Sequence, residues 1–427
     1  MLHRLTRALP AGTIAVGGGL AVLGVASYVH IAAAGHRLST LDMSKVSVVW
    51  SIVISLGFGL FLPVEQETGR IVAARAARND GAVPVARRAA GVSGAVLVVL
   101  LMSLAIGARP LADALFDGDR SMVAALAGAL VGAALSYATR GILAGRGLFA
   151  AYGVQLGVDG GLRIALSLGL VLAGVRTPLA YAMVLTVAPV VAVLVTLRPT
   201  LRALTPGTPQ SLRGYVAGLG LLTVSALAAQ TVVNIGVVSV KIIAPGEVAL
   251  VAALLSALIL ARIPIFVFAA LQASLLPGLS GLLARGDIAG YHKLLLRAIG
   301  VVTLLGVGGG IPAVLLGPWA IRVFFNAPDV LHSVDFAILA AGTLVYMLAM
   351  VLAQGAISLH RHRDQALVWI LGLAVLAAVT FGPGDVRLRV EFAYVAGSAV
   401  TAAVLAVLLW RVRPATDRVS PVKETAS

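Results

Sequence analysis

Asp159 and Arg163 stand four residues apart in an apolar run at 152–174, and on a helix that spacing puts both on one face, where they can pair. Two chemistries follow. The pair can neutralise itself and lock helices together, or Arg163 can face a polar cavity while Asp159 holds it or yields it to an anion. Arg262 has no acid at helical spacing and precedes Pro264, whose missing N–H permits a local bend. An unpaired guanidinium in an apolar run must face water or an anion, and its planar fork suits two phosphate oxygens. Gln230 and Asn234 are again four apart and can donate to a sugar or an ion, or join helices. Glu65, Glu67 and Arg70 follow Pro63 at the end of a second apolar run. Carboxylates there could gate or couple to an ion, while the plainer reading is a solvated helix end. His30 reads as interfacial, and Lys241 as a side chain that snorkels outward from its helix end.

Absences narrow the chemistry. The chain has no cysteine, which excludes disulfides and thiolate metal sites. It lacks the phosphate loop G-x-x-x-x-G-K-[ST], H-E-x-x-H and G-x-S-x-G, so neither an ATP motor nor a familiar hydrolase is expected. In His360–Asp364 arginines alternate with the imidazoles and oppose cation binding. No metal, no cofactor and no enzymatic activity are therefore expected.

These residues sit in a chain that water cannot solvate. Of 427 residues 60% are hydrophobic and 11% charged, with mean hydropathy +1.02, where soluble proteins carry about 25% charge. At roughly twenty apolar residues per crossing, twelve spans are predicted at 11–34, 44–63, 89–107, 121–143, 152–174, 178–197, 214–240, 247–283, 295–316, 334–358, 365–381 and 391–410. The eighth is long enough to project from the bilayer. Arg4 and Arg7 precede the first run in the manner of a signal peptide, but the run is long enough to span, so it is read as a helix.

Basic residues set the orientation. With the N-terminus inside, 21 of the 32 fall on the cytoplasmic side and 9 on the other, leaving Arg163 and Arg262 within spans. By the positive-inside rule both termini are cytoplasmic. The net charge of +15 is then a topology signal, and no nucleic-acid partner is expected.

The chain also looks duplicated. The segment 73–91 after the second span and 281–300 after the eighth share a basic residue, an acid beside glycine and a basic turn. The segments 139–153 and 353–369 correspond likewise. The expected fold is an all-α polytopic bundle of two six-helix lobes, 1–205 and 206–413, related by a pseudo-two-fold along the membrane normal, with a cytoplasmic tail at 414–427.

Residues 261–287, with arginine, proline, an apolar run, Leu-Pro-Gly-Leu-Ser and a basic-Gly-acid ending, resemble the eighth helix of the multidrug/oligosaccharidyl-lipid/polysaccharide (MOP) exporter superfamily. Residues 140–174 resemble its passage from fourth to fifth helix. Two subfamily marks are missing: the first run has neither the basic residues of lipid II flippases, which also have fourteen helices, nor the aspartate of many drug exporters. The polysaccharide branch is left. The resemblance implies a flippase of the bacterial plasma membrane that moves a lipid-linked oligosaccharide or polysaccharide precursor by alternating access. Arg262, Arg163, Asp159, Gln230 and Asn234 would meet the anionic glycan lipid, Glu65, Glu67 and Arg70 would serve as gate or coupling site, and glycan synthesis or polymerase proteins would be partners. A multidrug or metabolite antiporter on the same scaffold, a membrane glycosyltransferase or ligase, and a non-transporting scaffold remain as rivals.

Overall fold

A computed structural model of the chain describes residues 13–76, 78–217, 219–261, 263–265, 268, 275, 279, 282–283, 285–359 and 361–410. Among them twelve helices are long and apolar enough to cross a membrane: α1 Ala15–Arg37, α2 Thr40–Ala76, α3 Val83–Ile106, α4 Arg120–Gly145, α5 Phe149–Leu172, α6 Pro178–Val195, α7 Leu212–Ile243, α8 Val248–Ile265, α9 Ile288–Phe325, α10 Ser333–Ser358, α11 His362–Thr380 and α12 Val386–Trp410. Each overlaps a predicted apolar run. Among ends within the described residues the difference is greatest at α2 and α9, which continue through polar turns to Ala76 and back to Ile288. Extending an existing helix closes one backbone hydrogen bond per residue without a new nucleus, so helices outrun their apolar segments. The projecting end expected for the eighth helix, the tail at 414–427 and most of the 261–287 motif lie outside the described residues.

Packing repeats across the two halves. In the first, α1 lies on α5, α3 on α4, and both α4 and α5 on α6. Six helices later α7 lies on α11, α9 on α10, and both α10 and α11 on α12. One packing scheme used twice is what two like-oriented six-helix lobes require. Small residues set the closest approaches. A Cβ on Gly153 would lie 2.3 Å from the Ala15 carbonyl oxygen of α1, and one on Gly141 would lie 2.8 Å from the Glu65 carbonyl oxygen of α2. Loop acids cap the helices they precede: Asp119 accepts from the Ser121 N–H at 3.0 Å and Asp287 from the Gly290 N–H at 2.7 Å.

The lobes do not meet evenly. One apolar core runs from Ile31, Val46 and Trp50 of the first lobe to Val237, Val251, Leu255 and Phe325 of the second, all in the halves of their helices nearer the predicted outer face. Toward the predicted inner face the described core divides. One cluster around Tyr291, Met347 and Leu405 belongs to the second lobe alone, and another joins Val64, Val72 and Val85 to Tyr215 at the start of α7. At the outer face Asn326 donates to the Gly35 carbonyl over 3.1 Å, and a Cβ on Gly35 would fall 1.9 Å from the Phe325 carbonyl oxygen. Among the described residues the two lobes are closed against each other at the predicted outer face.

On the predicted inner side the connection between lobes is pinned to the α2–α3 turn. Arg75 donates to the carbonyl oxygens of Thr208 and Pro209 and to the Gln210 side chain. Asp80 accepts from the hydroxyl and backbone N–H of Thr208. These bonds, led by the Thr208 hydroxyl, hold the Asp80 carboxyl below the ordinary carboxylate range.

Candidate transport site

Tyr152, Gln155, Asp159, Arg163 and Ser167 recur every three or four residues along α5, so they form one polar stripe on an otherwise apolar helix. The stripe turns into the first lobe: Gln155, Asp159 and Ser167 are buried. Each member has a partner, as groups removed from water require. The Tyr152 hydroxyl donates to Glu65 Oε1 over 2.6 Å, Gln155 Nε2 donates to Thr139 Oγ1 over 2.9 Å, and Ser167 Oγ lies 2.9 Å from His30 Nδ1. Arg163 grips Asp159 through two bonds of 2.7 and 3.2 Å. The sequence left two roles for this pair, and the geometry places it in the self-neutralised arrangement.

Glu65 is the focus of the half nearer the predicted inner face. It is buried on α2, shortly after α2 loosens into a π-helical turn at Gly57–Phe61, a feature that often accompanies functional sites. Arg140 of α4 brings Nε to 3.6 Å from Glu65 Oε2 while its guanidinium lies 4.4 Å above the Tyr137 ring. Glu65, Arg140, Tyr152 and Tyr137 thus bind α2, α4 and α5 through one buried acid.

Several expectations change here. Glu65 and Glu67 do not end a solvated helix: α2 runs on for about three turns beyond Glu65, and both acids are buried, Glu67 held by Arg70 at 2.8 and 2.6 Å. His30 is not interfacial but fully buried and stacked on Trp50, ring centroids 5.6 Å apart, because α5 and α6 close over that part of α1. Lys241 does not snorkel. It is 1% exposed and donates to both oxygens of Asp117, each at 2.9 Å, because the loop after α3 folds over the outer end of α7. Asn234 donates to the Gln230 carbonyl at 2.7 Å and to its side-chain oxygen at 3.2 Å, so these two residues meet within α7. Arg262 lies outside the described residues.

Sequence reasoning missed Glu391. Arg387 and Arg389 suggested a loop that ended at Glu391, whereas α12 already begins at Val386, placing Glu391 in its second turn. Glu391 is 1% exposed and lines a narrow cavity with Gly236 and Ser239 of α7, Thr380 of α11 and Tyr394. Neither of its oxygens accepts a hydrogen bond from a donor among the described residues. The available signal was an acid at helical spacing from Arg387 heading an apolar run. Tyr152, Arg140 and Ser167 carried no signal until their neighbours were known.

No family model matches the chain, and no curated protein matches it by sequence. Its fold does match solved structures. An inward-facing multidrug resistance MATE family transporter of the MOP superfamily is 15% identical over 94% of this chain and 94% of its own, with TM-score 0.68. The outward-facing form of such a transporter is 16% identical over 93% of each chain, TM-score 0.64. A eukaryotic MATE transporter is 17% identical over 94% of each, TM-score 0.67. The chain therefore has the twelve-helix, two-lobe fold of the MATE transporters of the MOP superfamily.

Proposed function

We propose that this chain is an alternating-access exporter of the cytoplasmic membrane, both termini inside, that exchanges a drug-like or metabolite substrate for an inward-moving cation. It is a transporter and not an enzyme. The observation that carries the reading is the buried Glu65, tied to Arg140 and Tyr152 at the inner end of the first lobe. An acid inside an intramembrane bundle is costly, and such residues mark functional sites. Glu391 offers a second buried carboxylate in the other lobe. Protonation or cation binding at either acid changes the charge of its lobe and can bias rocking between the sealed-outside arrangement and its opposite.

A lipid-linked glycan substrate calls for open guanidiniums in the central chamber. Arg163 is neutralised by Asp159, and Arg140 lies against Glu65. That support is weaker than the support for an antiporter, whose neighbours in fold include multidrug transporters.

The test is efflux from proteoliposomes. A cationic dye loaded inside vesicles should leave faster when a proton or sodium gradient is imposed, and Glu65→Gln should abolish the dependence on the gradient. Dye that stays put while a lipid-linked oligosaccharide crosses would replace the antiporter reading with the flippase.

A further inference from the structure

At its inner end α6 does not stop but turns into a short helix, Leu197–Ala203. Thr200 and Ala203 are buried there, on a segment packed against α4 and α6. The opposite side is bare. Leu194, Leu197 and Leu201 are 60%, 39% and 56% exposed, and their spacing of three and four aligns them in one stripe. Arg198 and Arg202 are each one residue beyond a leucine of the stripe and one helical turn from each other. Both are exposed, and together these five residues line a single open cleft.

Neither arginine forms an ion pair within the protein: among the described residues every salt bridge involves other groups. The local sequence offers none either, because no Asp or Glu occurs between Asp159 and Glu247. Topology asks only for basic residues somewhere on the inner side. It does not ask for two guanidinium forks side by side along a leucine stripe where the helix leaves the apolar layer. A ligand that satisfies both halves of the cleft must be amphipathic, with an anionic head for the forks and a hydrocarbon chain for the leucines.

We propose that this cleft is a binding site for an anionic phospholipid of the inner leaflet, its phosphate between Arg198 and Arg202 and an acyl chain along Leu194, Leu197 and Leu201. The site lies at the end of α6, next to α4, which carries Arg140, so a bound lipid would brace the inner ends of two helices of the first lobe.

The experiment uses the full chain purified in mild detergent and follows thermal unfolding during titration with phosphatidylglycerol, phosphatidylcholine or inorganic phosphate. Phosphatidylglycerol should raise the unfolding midpoint beyond the effect of phosphatidylcholine. That excess should be lost in the double variant R198Q/R202Q and kept in R109Q/R120Q, which removes the same charge from the opposite face. An excess that survives in R198Q/R202Q overturns the proposal, and so does an equal shift with inorganic phosphate, which would make the cleft a simple anion site. Should R198Q/R202Q fail to fold, R198K/R202K decides. It keeps the charge but lacks the planar forks, and it should copurify with less tightly bound phospholipid than the parent. Equal lipid content would overturn the proposal.

Discussion

The hydroxyl of Tyr152 on α5 donates to the buried carboxylate of Glu65 on α2 over 2.6 Å, linking two residues 87 apart in sequence toward the predicted inner end of the first lobe. If Glu65 couples ion and substrate, removing this donor leaves the acid in place but alters its affinity for a cation. Tyr152→Phe should shift the gradient dependence of transport in vesicles, and Glu65→Gln should remove it, lowering driven transport on the order of tenfold. Unaltered driven transport in Glu65→Gln would exclude Glu65 from coupling.

Lys241 and Asp117 form an asymmetric pair, the ammonium 1% exposed and the carboxylate one-third exposed. Removing the wetter partner strands a buried charge, whereas removing the lysine leaves an aspartate that water can reach. Asp117→Asn should therefore cost more than Lys241→Met, on the order of 3 kcal/mol, read as a lower unfolding midpoint. Equal losses would mean that Lys241 finds other partners.

Asp159 and Arg163 should behave as one unit. Each single change, Asp159→Asn or Arg163→Gln, leaves one buried charge without its counter-ion at a cost of about 3–5 kcal/mol. The double variant should recover much of that loss. Additive losses in a double-mutant cycle would show that each residue has separate partners.

Asp80 gives the inner clasp a pH dependence. Its folded-state pKa lies below the unfolded value. The stability it contributes is therefore present above the ordinary carboxylate range of about 4 and is lost as pH falls through the depressed value. Asp80→Asn should unfold more easily than the parent at neutral pH, and the two should converge in acid. A gap that stays constant with pH would rule out this carboxylate as its source.

Gly141 lets α4 approach the α2 backbone beside Glu65, where an added Cβ would lie 2.8 Å from a carbonyl oxygen. Gly141→Leu forces the helices apart and should cost about 1–3 kcal/mol by overpacking. It should also disturb transport, because the same displacement separates Arg140 from Glu65. Normal transport in a destabilised Gly141→Leu would separate the packing role from the coupling role.

The twelve helices, their order and the doubled plan were legible in the amino-acid sequence, because each rests on a local quantity. A run of about twenty apolar residues must cross a bilayer as a helix wherever it lies in the chain, and the loop pairs 73–91 and 281–300 carried the repeat. The pairing of Asp159 with Arg163 was readable for the same reason, since the helix itself sets their separation. Contacts between helices were not. Glu65 and Lys241 looked like helix ends near water, and Glu391 looked like the bare start of a span, because spans that are apolar on every side do not reveal which face turns inward. Only the packing decided that Tyr152 and Arg140 close on Glu65, that Asp117 reaches Lys241, and that Gly35 admits Phe325. Those relations depend on how each helix is rotated against its neighbours, and that rotation is fixed jointly by small residues and buried polar partners far apart in the chain.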